Sequence, residues 1–282
     1  MIKPLRSLSL AGLCALTFPM ASAGQSWKTI SGSRQVVDEE EVDVKLTYGV
    51  GVLTLSAGDA GMLYRTRLTF DEEAATPVSE YRDGDLQLGI SRYRGKSIDL
   101  KNWSSEGSFD VELSPDVSLE LEMELGAVKA DLDFTGLALR SLELATGASE
   151  AKLHVDEPNT ESMDHATFEV GAADFRLSGL GNLNTEHVSV KAGVGSVTLE
   201  LDGTWSQDQV LDIEMGLGAL ELRIPRSLGV RLERSSFLTS IDTGGMVRRE
   251  GAYYSSSWEG AEHRVEIEIS AAFGSVDIVW TG

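Results

Sequence analysis

From Val42 onward the chain alternates apolar and polar residues, the period of a strand with one buried face. In Val188, Val190, Ala192, Val194 every second residue is apolar; the phase slips at Gly195-Ser196 and resumes as Val197, Leu199, Leu201. Leu211, Ile213, Met215, Leu217 slip at Gly218-Ala219 into Leu220, Leu222, Ile224, and Ile267, Ile269, Ala271, Phe273 slip at Gly274-Ser275 into Val276, Ile278, Trp280. The same break separates Leu121–Ala127 from Ala130, Leu132, Phe134, and Leu142–Ala148 from Ala151, Leu153, Val155. It recurs between Phe168–Ala172 and Phe175, Leu177, and between Val44–Val50 and Leu53, Leu55. A degraded eighth copy is Val230, Leu232 and Leu238, slipping at Thr239-Ser240 into Ile241.

A slip of one residue turns every later side chain to the other face of a straight strand. The apolar residues stay on one side only if the backbone bends or bulges at the slip, and glycine suits such a bend. Gly49, Gly126, Gly147, Gly171, Gly193 and Gly216 stand immediately before the last apolar residue of each first run. In the closing segment Ala272 stands there, with Gly274 two residues on. These glycines are predicted corners, with positive φ expected at Gly193 and Gly216. From Gly126 the corner spacings are 21, 24, 22 and 23 residues, an approximate repeat. One such repeat cannot bury its apolar stripe alone, whereas stacked copies can. The predicted fold is therefore all-β: a stacked-strand β-solenoid, that is, a single-stranded β-helix, with all these apolar columns inward. A β-sandwich of the same strands is the alternative. An outer-membrane barrel is a weaker third, since aromatic girdles are absent.

Other segments break the pattern. Lys3 and Arg6, the apolar stretch Leu8–Phe18 and Ala21-Ser22-Ala23 read as a signal peptide over residues 1–23, leaving Gly24 first in the mature chain. Cys14 raises a lipoprotein alternative, but bulky Leu13 precedes it where a small residue is expected. Residues 24–41 form a polar and acidic leader, disordered or an edge, and 42–282 one repetitive β domain. Within the less regular stretch 56–120, Arg82-Asp83-Gly84-Asp85 reads as a tight turn before the alternation Leu86, Leu88, Ile90. Residues 244–262 also interrupt the repeat and gather Arg248, Arg249, Tyr253, Tyr254 and Trp258. Arginine and aromatics are enriched at interface hot spots. These five are the candidate interaction residues; the competing expectation is that the aromatics fold back to cap the stack.

Charge narrows the function. The 282 residues carry a net charge of −21, and loss of Lys3 and Arg6 with the export segment takes it to −23. Such a field repels a phosphate backbone, which excludes nucleic acid as a partner. Cys14 is the single cysteine, so the mature chain has none, which suits an oxidising space outside the cytoplasm. No later stretch is apolar enough to span a membrane as a helix. Gly193-Val194-Gly195 and Gly216-Leu217-Gly218 lack the third glycine of a dinucleotide fingerprint, His154, His165, His187 and His263 are scattered, and no Gly-x-Ser-x-Gly elbow occurs. Asn102-Trp103-Ser104 is a formal glycosylation sequon. No catalytic, cofactor or metal residues are assigned. Glu122 and Glu124, Asp131 and Asp133, Asp212 and Glu214, and Glu266 and Glu268 should project outward in rows, where weak calcium binding would relieve like-charge repulsion.

The run Leu119–Leu137, together with Leu142–Ala148, Val188–Leu199, Glu262–Ile269 and Phe273–Val276, resembles the bacterial toast-rack domains found in LiaF-type envelope-stress regulators and adhesin-like proteins. The likeness spans roughly residues 42–282. It implies a stacked all-β fold, an envelope location and no catalytic residues. The LiaF-type amino-terminal membrane helices are missing, which argues against direct control of a membrane kinase. The resulting expectation is an exported, non-enzymatic envelope binding module engaged in adhesion or stress sensing. Its partner would be an envelope protein or polysaccharide, in the periplasm, at the cell surface or outside the cell. The alternative is a carbohydrate-active enzyme on a β-solenoid.

Overall fold

Strands form wherever the alternation runs, and the longest carry the slip in their middle. The computed structural model describes residues 26–93 and 107–282 and is nearly all β. The expected export segment 1–23, Cys14 and the Asn102 sequon lie outside the described residues. Numbered in chain order, eight long strands make the body: β2 (Glu41–Ala57), β7 (Ser118–Asp133), β8 (Ala138–His154), β9 (His165–Ser178), β10 (His187–Glu200), β11 (Gln209–Pro225), β12 (Gly229–Asp242) and β15 (Arg264–Thr281). They pair in parallel and in the order β2-β7-β8-β9-β10-β11-β15-β12. The register keeps equivalent repeat positions side by side: Val190 opposes both Phe168 and Ile213, and Leu199 opposes Leu177 and Leu222. This is the stacked-strand solenoid.

Each strand turns a corner. In β10 the inward residues are Val188, Val190 and Ala192, then Val197 and Leu199. The step from Ala192 to Val197 is five residues, so four in succession face outward. The two arms of each bent strand thus close on one core, which fills with columns such as Leu46, Met123, Leu144, Phe168, Val190 and Ile213. Connectors complete each coil, and buried asparagines hold them to their neighbours. Asn159 donates from Nδ2 to Leu139 O at 2.7 Å and accepts from Leu139 N at 2.9 Å. One coil on, Asn182 donates to Val155 O at 2.7 Å and accepts from Thr204 N at 2.7 Å.

Two expectations about the corner change. The corner glycines Gly126, Gly171, Gly193 and Gly216 do not take positive φ. Glycine is required there by close approach: a Cβ on Gly193 would stand 2.6 Å from Gly171 O, and one on Gly216 2.5 Å from Gly193 O. Positive φ belongs two residues later, at Gly195 (143°) and Gly218 (151°), and Gly274 lies in register with this second row. The last apolar residue of each first run is also not inward. Val194 and Leu217 are each 51% exposed and Phe273 47%. With four corner residues outside, the final alternating position falls beyond the bend.

At the β2 end, β5 (Asp85–Tyr93) pairs with one arm of β2 and β6 (Ser108–Leu113) with the other. β4 (Ala75–Arg82) joins β5 through the expected tight turn, with φ of 52° at Asp83 and 97° at Gly84. β3 (Met62–Asp71) pairs with β6, and β1 (Trp27–Gln35), drawn from the polar leader, is the edge strand beyond it. A side-chain contact links β1 to β4, with the Arg34 guanidinium 4.1 Å from the Tyr81 ring centroid. At the other end β15 is inserted between β11 and β12, and the degraded eighth copy is the outermost long strand.

Glu39 fastens the connector between β1 and β2 to β1. Its carboxylate accepts from Val37 N at 2.6 Å and from the Arg34 guanidinium at 2.5 Å. The Val37 N–H first, and Arg34 second, hold its pKa down from an ordinary 4.5 to about 2. A depressed carboxylate stabilises the fold above its unfolded pKa and loses that contribution as pH falls towards the folded value. Glu39→Gln should therefore lower the urea midpoint at neutral pH. The difference from the parent should shrink between pH 4.5 and about 2; a gap independent of pH would contradict this role.

Candidate interaction site

The bend leaves a trough along the outside of the stack. Its floor is the first glycine row, Gly49, Gly126, Gly147, Gly171, Gly193 and Gly216, and its volume is about 1240 Å³. Across eight strands spaced about 4.8 Å apart the trough runs roughly 30 Å. One side carries the in-register row Thr47, Glu124, Ala145, Glu169, Lys191 and Glu214. Next to the glycine row in the chain, outside the residues that line the trough, runs a ridge made by the last apolar residues. Ala172 opposes Val194, Val194 opposes Leu217, and Leu217 opposes Phe273, so the ridge grows taller towards β15. Val194 and Leu217 each stand between two glycines, as in Gly193-Val194-Gly195, and Phe273 between Ala272 and Gly274. That flanking pattern is the signal in the sequence that could have placed them on the corner.

The acidic rows are partly neutralised by cations within the stack. Lys45 Nζ reaches both Glu122 and Glu124 at 2.8 Å, and these bonds raise its pKa above the ordinary lysine value. Lys191 lies 3.4 Å from Glu169, and the His154 ring, a cation only when protonated, lies 3.4 Å from Asp133 and 3.9 Å from Asp131. Asp43 is pushed up by burial first and then by Glu120 and Asp85. Among the described residues no group of three or more His, Cys, Asp or Glu is gathered to hold a metal ion, so the calcium expectation finds no site there. No described helix is long and apolar enough to cross a membrane.

The five candidate interaction residues come together at the β12 end. Arg248 and Arg249 sit exposed on β13 (Val247–Arg249), and Tyr253 and Tyr254 half-buried on β14 (Ala252–Tyr254). β14 pairs antiparallel with β12 through Tyr254–Arg231 and Tyr253–Leu232, so the hairpin covers part of the outer edge of the terminal strand. Tyr254 meets Trp258 edge-on at 5.5 Å between ring centroids. The guanidiniums of Arg248 and Arg249 lie 5.7 and 6.0 Å from the centroids of Tyr253 and Tyr254.

A family model described as the N-terminal domain of toast_rack, DUF2154, matches residues 22–178 and 166–223. No curated protein is detectably similar in sequence. Among solved structures, a "putative cell adhesion protein" from Clostridium sporogenes is 20% identical with a TM-score of 0.48, covering 90% of this chain and 100% of its own. A "putative adhesin" from Bacteroides fragilis is 14% identical with a TM-score of 0.38, covering 90% and 99%. At those TM-scores the likeness carries no functional weight.

Proposed function

The chain belongs to the toast-rack family, and from that premise we infer a non-enzymatic interaction module that works in the cell envelope after export. The observation that carries this reading is the ridge of Val194, Leu217 and Phe273, each about half exposed and aligned across neighbouring strands. Contiguous exposed apolar side chains mark interaction sites more often than they serve a monomer. The glycine floor beside them lets an extended partner approach the backbone. In this reading the ridge supplies adhesion, and the hairpin at the β12 end closes the stack with Arg248 and Arg249 as its outer face.

A polysaccharide hydrolase would need two carboxylates flanking a scissile bond. Along the trough, Glu124 and Glu169 are instead engaged by Lys45 and Lys191, which favours binding over cleavage. The test is retention of the purified mature chain on native envelope fragments. Replacing Val194, Leu217 and Phe273 together by Ser should reduce retention at least about tenfold. The thermal midpoint should stay near the parent value, because residues half exposed in the folded state contribute little burial. Undiminished retention would remove the ridge from the function.

A further inference from the structure

The β12 end of the stack carries charge of the opposite sign to the rest of the molecule. Residues 226–249 hold five arginines and two acids, on a chain with 24 basic residues and 45 acidic ones. Arg231 is engaged by Glu233 and Glu266, and Arg249 by Glu259. Arg234 and Arg248 are exposed, and among the described residues neither forms an ion pair with a carboxylate. Their guanidiniums lie 6.0 and 5.7 Å from the centroid of one ring, Tyr253. Arg234 also breaks a core column: it stands in register with Ile269 and, through it, Ile213, both buried.

The same strand has an open edge. Val230 N donates to Ser255 Oγ and Val230 O accepts from Ser255 N, both at 2.9 Å, so the backbone groups of Val230 point away from β15. The period of two gives Leu232, Arg234 and Ser236 the same sense. β14 covers this edge only at Arg231 and Leu232, because the hairpin turns back at Glu250-Gly251. Beyond it, no described strand lies against the outer side of residues 233–242. Unpaired strand backbone is a template for a further strand.

We propose that this edge takes an added strand from an acidic partner protein, with carboxylates seated on Arg234 and Arg248. The open ladder calls for peptide backbone, which a polysaccharide or a lipid lacks. A residue opposite Arg234 on the added strand shares its face, with Cβ atoms roughly 5 Å apart. A carboxylate there accepts charge-assisted hydrogen bonds from a guanidinium that now has no carboxylate partner. A second copy of this edge is turned away, since antiparallel pairing about Arg234 sets like charges opposite one another. An acidic segment is repelled by the remaining surface of a chain of charge −21 and attracted at this end. The site uses none of the ridge residues and does not rest on them.

Fluorescence anisotropy on the full mature chain, with a short, labelled, end-capped peptide of alternating Glu and Val, tests this. One control is the Lys–Val peptide of equal length. The other is the Glu–Val peptide N-methylated throughout, which keeps the charge but cannot donate to the ladder. Glu–Val should bind, with both controls at least about tenfold weaker. Arg234→Glu and Arg248→Glu should each weaken binding at least about tenfold, with the thermal midpoint near the parent value because both side chains are exposed. Hydrogen exchange at the Arg234 and Ser236 amides should slow in the complex, and the ridge substitutions should leave peptide binding intact. The proposal is overturned if Glu–Val does not bind, if either control matches it, or if either arginine variant binds in full. Unchanged exchange at Arg234, or inorganic polyphosphate binding as tightly as the peptide, would reveal an anion site without a strand and overturn it too.

Discussion

Gly218→Val is expected to cost more than about 4 kcal/mol and to prevent the stack from closing at its centre. Two penalties coincide at this position. The φ of 151° lies where a β-branched residue is strained. A Cβ would also stand 1.8 Å from the carbonyl oxygen of Gly195 on the preceding strand. The disturbance would be passed on, since Gly218 O lies 1.8 Å from the Cβ position of Gly274 on the next. Gly216→Val meets only the second kind of penalty, a contact of 2.5 Å with Gly193 O, and should cost about 1–3 kcal/mol. Urea midpoints of the two variants check the ranking. Equal losses would mean that conformation at Gly218 adds nothing to close approach.

Asn159→Leu should be the next most damaging change, at about 2–4 kcal/mol. The side chain is 7% exposed and substitutes for a strand neighbour where the ladder has ended. It satisfies both the N–H and the C=O of Leu139, and its Nδ2 also reaches Glu161 O at 3.0 Å. Leucine fills similar space but strands all of these groups in the interior. Asn159→Asp keeps the acceptor for Leu139 N but sets an ionised oxygen against the carbonyls of Leu139 and Glu161, so it should be damaging at neutral pH and less so in acid, where the protonated carboxyl can donate. Hydrogen exchange at the Leu139 amide reads the difference directly: fast in the leucine variant, protected in the parent. Protection retained in Asn159→Leu would show that another group had taken over.

The repeat was legible because period-two alternation and its slip are local properties of a strand. The inward columns, the eighth copy and the Asp83-Gly84 turn could all be read from short windows. The ridge was not, because Val194 and Leu217 continue the alternation while the backbone has already turned beneath them. Alternation records which residues are apolar, and only the bend decides which of them meet water. The sequence misplaces positive φ at Gly193 for a related reason: both glycines of Gly193-Val194-Gly195 serve the corner, one for space and one for conformation.

The position of β15 has a consequence for how the molecule is made. Both of its neighbours, β11 and β12, precede it in the chain, so the solenoid cannot be completed coil by coil in chain order. When Asp242 has been added, β11 and β12 must remain apart by one strand's width, or pair wrongly with each other, until Arg264–Thr281 arrives. Pairing between β11 and β12 would align their alternations equally well, because the two share the same inward phase. The nascent protein therefore has a kinetic trap written into its periodicity. The hairpin that joins β12 through Tyr253 and Tyr254 is synthesised before β15 and can occupy part of β12 early. The slow step of folding is therefore expected at the β11-β15-β12 junction, a cost that equilibrium stability does not report.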